Sequence, residues 1–255
     1  QGEDAAFDGI VLLNSDGMQI GIAKNLNSNS QAIVGEPWVI PAGASRTYTI
    51  AGNMKSSLNS YAGQVVSLKL VSVNTSATVS GSLPITGASH TLNDNLTIGT
   101  SNPSRGALDP NATSNKEIGT TNHVFSSIKV DAGSAEDIKV WSIRWNQSGS
   151  ASASDLANIK VYVDGTAYPT TVSADGKYYT AVFPGGLAIA EGLNKEISIK
   201  GDIVSGTNRT VAFDLYKKTD LYITGDTYGY GITPGTSGTG FSTGTPWYDA
   251  AGVVT

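Results

Sequence analysis

One block of seventeen residues occurs twice in this chain. Residues 38–54, WVIPAGASRTYTIAGNM, align without a gap on residues 187–203, LAIAEGLNKEISIKGDI, 149 positions further on. Ile40 meets Ile189, Gly43 meets Gly192, Ile50 meets Ile199 and Gly52 meets Gly201; the same offset sets Phe7 on Leu156 and Ile10 on Ile159. A repeat of this length means one structural unit used twice. Its pattern is that of a strand. Tyr48 and Ile50 alternate with Thr47 and Thr49, and Ile197 and Ile199 alternate with Glu196, Ser198 and Lys200. That period of two belongs to a half-buried strand.

The remaining segments read as strands and turns. Residues 7–13 and 18–23 form a hairpin across an Asp16-Gly17 turn, whose residues tolerate positive φ. Short strands follow at 38–40 and 46–50, with others at 65–73 and 77–79, closing the first copy at Gly81. Strands are expected at 92–98, 124–130 and 138–145. In the last, the apolar parity flips between Val140 and Ile143, so a bulge is expected near Trp141 and Ser142. The second copy has strands at 159–163, 178–183, 197–203, 211–216 and 221–224, with Asp-Gly turns at 164–165 and 175–176. The expected organisation is therefore a partial sandwich over 1–81, a complete one over 88–226, and a Gly/Thr-rich tail with a terminal strand over 227–255.

Composition narrows the function classes. Thirty glycines and a charged fraction of only 15% disfavour amphipathic helices and favour an all-β chain with many turns. No apolar run approaches the ~20 residues of a spanning helix. The net charge of −5, without a basic cluster, argues against a nucleic-acid partner. The absence of cysteine excludes disulfides, thiolate metal sites and a cysteine nucleophile. Gln1 opens a polar segment without a signal peptide, as expected of a processed, mature or truncated terminus.

Three stretches carry a family resemblance: SDLANIKVYVDG at 154–165, LAIAEGLNKEISIKGDI at 187–203 and RTVAFDLYKKTDLYITG at 209–225. With HVFSSIKVDAGSAEDIKVWSIRW at 123–145 ahead of them, they resemble the immunoglobulin-like repeats of large bacterial surface and S-layer-like proteins. The resemblance covers 88–226 well and 5–81 more loosely. It implies antiparallel Ig-like β-sandwiches in tandem and a secreted structural or adhesive role at the cell surface, and it supplies no catalytic residues.

No catalytic constellation emerges from the residues themselves. His90 and His123 have no nucleophile motif to serve. Asp131, Glu136, Asp137 and Glu191 read as solvated turn acids rather than a glycosidase pair. Calcium could draw oxygen ligands from Asn93, Asp94 and Asn95, or from Asp131, Glu136 and Asp137, although no EF-hand loop is present. Five N-x-S/T sequons, at Asn74, Asn95, Asn111, Asn146 and Asn208, are about what chance gives in so Asn- and Thr-rich a chain. Trp38, Trp141 and Trp145 read as packing residues. In the tail, Tyr228, Tyr230, Phe241, Trp247, Tyr248, Val253 and Val254 are the candidates for a subunit interface, since aromatics are enriched there. The first copy is expected to lack its opening half, either as a fragment or because a neighbour's terminal strand completes it. The functional expectation is a non-enzymatic subunit of an extracellular layer or filament whose partners are copies of itself. A carbohydrate-binding or adhesin module, with a surface glycan as partner, is the alternative.

Overall fold

The computed structural model describes residues 2–255 and is all-β with antiparallel pairing. The chain divides into two compact units at Leu96 and Thr97. In the first, β1 (Phe7–Leu13) lies between β2 (Gln19–Lys24) and β3 (Thr49–Met54), and β4 (Val65–Leu70) pairs with β5 (Ile85–Thr91). The 7–13 and 18–23 hairpin is found as expected. The strand expected at 92–98 is absent; β5 lies just ahead of it and pairs with β4, so it belongs to the first unit rather than to a domain starting at 88.

The second unit is built from β6 (Ser104–Arg105), β7 (His123–Asp131), β8 (Ile138–Ser148), β9 (Leu156–Val163), β10 (Thr166–Val172), β11 (Tyr178–Ile189), β12 (Asn194–Ile203), β13 (Ala212–Asp214), β14 (Leu221–Gly225) and β15 (Gly231–Ile232). They form one curled sheet in the order β15-β14-β8-β11-β10-β9-β12-β7-β6, with β13 also on β8. Strand β10 joins the two halves of this sheet: residues 166–169 pair with β9 and residues 170–172 with β11. The two-residue turn from β9 to β10 is Asp164-Gly165, with φ of 50° and 82°, the type I′ geometry that its residues predict.

The concave face holds the core, including Phe125, Ile128, Ile143, Trp145, Val161, Phe183, Ile197, Ile199 and Phe213. Burying each large apolar side chain of this kind contributes about 1.5–3 kcal/mol. The parity flip in β8 has the expected cause. Ser142 pairs with Tyr222 and Val140 with Ile223, so Trp141 is the extra residue of a bulge and the buried side changes from even to odd numbers around it.

The sequence repeat is a structural repeat, residue for residue. Leu13 pairs with Thr49, Leu12 with Ile50, Val11 with Ala51 and Phe7 with Met54. At 149 positions further on, Tyr162 pairs with Ser198, Val161 with Ile199, Lys160 with Lys200 and Leu156 with Ile203. Each copy opens with a one-turn 3-10 helix, Asp4–Ala6 in one and Ala153–Asp155 in the other. The turn inside the block is also shared. Ala44 N–H donates to Pro41 O and Leu193 N–H to Ala190 O, each at 3.0 Å, with Gly43 and Gly192 at φ of 77° and 72°. This is a type II turn, whose third residue needs positive φ.

The two units differ in what covers the repeat. Among the described residues the first buries seven hydrophobic side chains and the second thirty, so the first has little core of its own.

Candidate functional site

The seven tail residues fall into two groups. Phe241, Trp247, Tyr248 and Val254 are buried in the second unit's own core, Val253 is partly buried, and Tyr228 and Tyr230 are 45% and 49% exposed. The buried four differ from the expectation of an interface, and the backbone supplies the reason. Tyr248 and Leu215 exchange N–H···O bonds of 3.0 and 3.1 Å, and Val254 and Val211 exchange two of 2.9 Å. These anchors lay the tail along the strand around β13, where Phe241, Trp247 and Tyr248 pack ring against ring and Tyr248 meets Trp145 edge-on. A Gly/Thr-rich segment that cannot enclose a core of its own here completes that of the unit it follows.

Beneath Tyr248 lies a polar network that the sequence does not announce. The Tyr248 hydroxyl is 2.7 Å from Asp109 Oδ2 and 3.0 Å from Ser127 O, and Ser126 Oγ donates to the same carboxylate at 3.1 Å. Burial first, then the hydrogen bond and charge of Asp109, push the Tyr248 phenol well above its usual value. Glu196 accepts from Ser127 Oγ at 2.7 Å and from Leu108 N–H at 2.6 Å, which straps the 106–111 loop onto β7 and β12. The one available signal was the Ser126-Ser127 pair, two hydroxyls inside an otherwise apolar strand.

The acidic candidates are staples. Glu136 is only 4% exposed, so the expectation of a solvated acid does not hold for it. Its Oε1 accepts from Gly99 N–H at 2.7 Å, and its Oε2 accepts from Thr227 and Tyr228 N–H at 2.9 and 3.3 Å. Asp137 accepts from Glu191 N–H and Asp131 from Asn102 N–H, each at 2.8 Å. Asn93 turns its Oδ1 onto the N–H groups of Asn95 and Leu96. Among the described residues no group of three or more His, Cys, Asp or Glu is placed to hold a metal ion.

His123 opens β7 with its ring edge-on to Phe125; burial, then the charge of Lys116, holds it below its usual value. His90 is exposed on β5 in the other unit. A cleft of about 590 Å³ is lined partly by Asp155, Ser205 and Arg209. Asp155 is fully engaged there: Ser205, Ser152 and Arg209 donate to it and hold its carboxyl well below the usual range. No general base is left facing the space.

The first unit holds a different kind of feature, an open strand edge. Strand β12 is flanked by β9 and β7, whereas β3 is flanked by β1 alone; no strand among the described residues pairs with its other edge. The strand expected at 38–40 is also missing. Its counterparts, residues 187–189, are held by β8, and nothing among the described residues plays that part for Trp38–Val39–Ile40. Ile40 is consequently 46% exposed where Ile189 is 1% exposed.

No protein-family model, characterised protein or solved structure matches the chain. No helix among the described residues is long and apolar enough to cross a membrane.

Proposed function

We propose that this chain is a non-enzymatic structural subunit of an extracellular assembly, a surface layer or a filament, made of Ig-like sandwich repeats and joined to its neighbours by strand complementation. The observation that carries the reading is the open edge of β3 in a unit whose sister copy has that edge paired. An unpaired edge offers a row of N–H and C=O groups, and natural sheets ordinarily guard it. Here it is left with Thr49, Ile50 and Ala51 and without a proline or an inward charge. The exposed Ile33, Val39 and Ile40 nearby in sequence are further apolar surface available for an assembly contact.

A carbohydrate-binding or adhesin module is the second reading. It rests on Tyr228 and Tyr230, two half-exposed rings between β14 and β15.

Light scattering and electron microscopy over a range of concentrations test the first reading. A variant with both Arg46→Pro and Thr47→Pro serves as control. Both residues lie outside every strand, so the free fold keeps its ladders while the edge can no longer be extended. Ordered polymers from the native chain and none from the variant support the assembly reading. Monodisperse monomers from both refute it, and glycan binding through Tyr228 and Tyr230 is then measured.

A further inference from the structure

The second unit shows how the repeat accepts a partner on this edge. Strand β7 lies antiparallel on β12, with Ile197 opposite Ile128, Ser198 opposite Ser127 and Ile199 opposite Ser126. The counterparts of those β12 residues are Tyr48, Thr49 and Ile50. One difference between the copies is diagnostic. Residues 194–196 of β12 pair with β7 and not with β9. Their counterparts, Ser45, Arg46 and Thr47, lie outside any strand, whereas residues 49–54, which β1 supports, remain one. The part of the repeat that only a β7-type neighbour can order is the part that is not ordered as strand.

Burial shows the same loss. Ile199 is fully buried and Ile50 is partly exposed, although both sit opposite a buried residue of the central strand, Val161 and Leu12. The next repeat position behaves alike: Ile203 is buried and Met54 is partly exposed.

From this we infer that the outer edge of β3 is a docking site for an extended segment with the pattern of β7, supplied in trans by another polypeptide that carries the same repeat. Its apolar residues take the spacing of Phe125, Ile128 and Val130, and it binds antiparallel, extending β3 back to Ser45. The segment is not one this chain can lend from its second unit. There β7 is committed to β12, and the terminal residues are committed to Val211, Leu215 and Ser114. The inference rests on the strand-complementation reading and names the partner of that edge.

The test uses the 255-residue chain and a synthetic peptide of residues 123–131, HVFSSIKVD, with hydrogen exchange followed by mass spectrometry or NMR. At a peptide concentration about ten times the dissociation constant, exchange of edge amides in 45–54 slows about tenfold by mass action. Protection includes residues 45–47, and it is absent in the Arg46→Pro, Thr47→Pro variant and with a peptide carrying Ile128→Lys. The inference is overturned if no protection appears. It is overturned equally if the change falls on residues 194–203, because the peptide has then displaced β7. Protection that appears without peptide and vanishes on dilution also overturns it, since a second copy then occupies the edge. Polymers without peptide protection leave the assembly reading standing and sink this one; peptide protection of a chain that stays monomeric does the reverse.

Discussion

Replacing Tyr248 by phenylalanine removes one hydroxyl from the core without opening a cavity. That hydroxyl donates to Asp109, whose side chain is buried, at 2.7 Å. The carboxylate then keeps Ser126 Oγ at 3.1 Å and the N–H of Asn111 at 3.1 Å, together with a long contact of 3.4 Å from Ser127 N–H. A hydrogen bond to a charged group is worth about 1.5–3 kcal/mol, and the substitution should cost about that near neutral pH. With a urea m value of about 2 kcal/mol/M, the midpoint falls by about 1 M. Trp141, Trp145 and Trp247 all lie in the second unit and report its unfolding by fluorescence. The alkaline limb gives an independent check. Because the Tyr248 phenol is raised in the fold, its contribution is complete below the unfolded value of about 10 and is lost as pH climbs towards the folded one. Wild type therefore loses stability above about pH 10 with a slope of up to ~1.4 kcal/mol per pH unit from this residue, and the phenylalanine variant does not. Tyr178 and Tyr179, both raised first by burial, keep part of the slope in each protein. The two stabilities should converge at high pH. A midpoint shift under about 0.2 M, or a constant gap across the alkaline range, would refute a buried hydroxyl–carboxylate contact.

Three further predictions probe other parts of the second unit. Trp247→Ala should cost about 3–5 kcal/mol through the cavity it leaves, read by calorimetry; full stability with lost self-association would instead make Trp247 an interface residue. Arg144→Met strands Asp220, whose side chain is buried and bonded to Arg144 at 2.5 and 2.8 Å, and should cost about 3–5 kcal/mol near pH 7. Burial raises the Asp220 carboxyl, so part of that loss should return as pH falls and the group takes up a proton; denaturant midpoints from about pH 7 down to about pH 5 check the sign. Glu136→Gln trades one acceptor oxygen for a donor facing the Thr227 and Tyr228 amides. It should destabilise by about 1–3 kcal/mol and speed amide exchange at those two residues above all others, and unchanged exchange there would count against the staple.

Much of this architecture was legible because short-range pattern and long-range pairing agreed. The alternation in residues 197–203, the Asp164-Gly165 turn and the parity flip around Trp141 each specify a backbone geometry that neighbouring strands accept. The misses occur where a segment's state depends on a neighbour. Trp38 to Ile40 has the apolar run of a strand and no strand opposite it. Ile85–Thr91 is a strand with every residue exposed, so it carries no apolar alternation to be read. The tail aromatics were recognisable as buried on something, and sequence alone did not specify on what. Asp109 and Ser127 were invisible as a pair because the residues that close their network arrive from Glu196 and Tyr248. The open edge of β3 is the exception, since comparing the two copies position by position exposes it.

The anchoring of the last three residues has a mechanical meaning. Ser114 and Lys116 donate to Val253 O and Thr255 O, Thr255 donates back to Ser114 O, and Val254 exchanges two bonds with Val211. One neighbour runs parallel to the terminal strand and the other antiparallel. Tension applied at Thr255 along the strand axis therefore loads these five bonds together in shear, instead of opening them one after another like a zipper. The second unit can bear a pull at that point before its sheet begins to part.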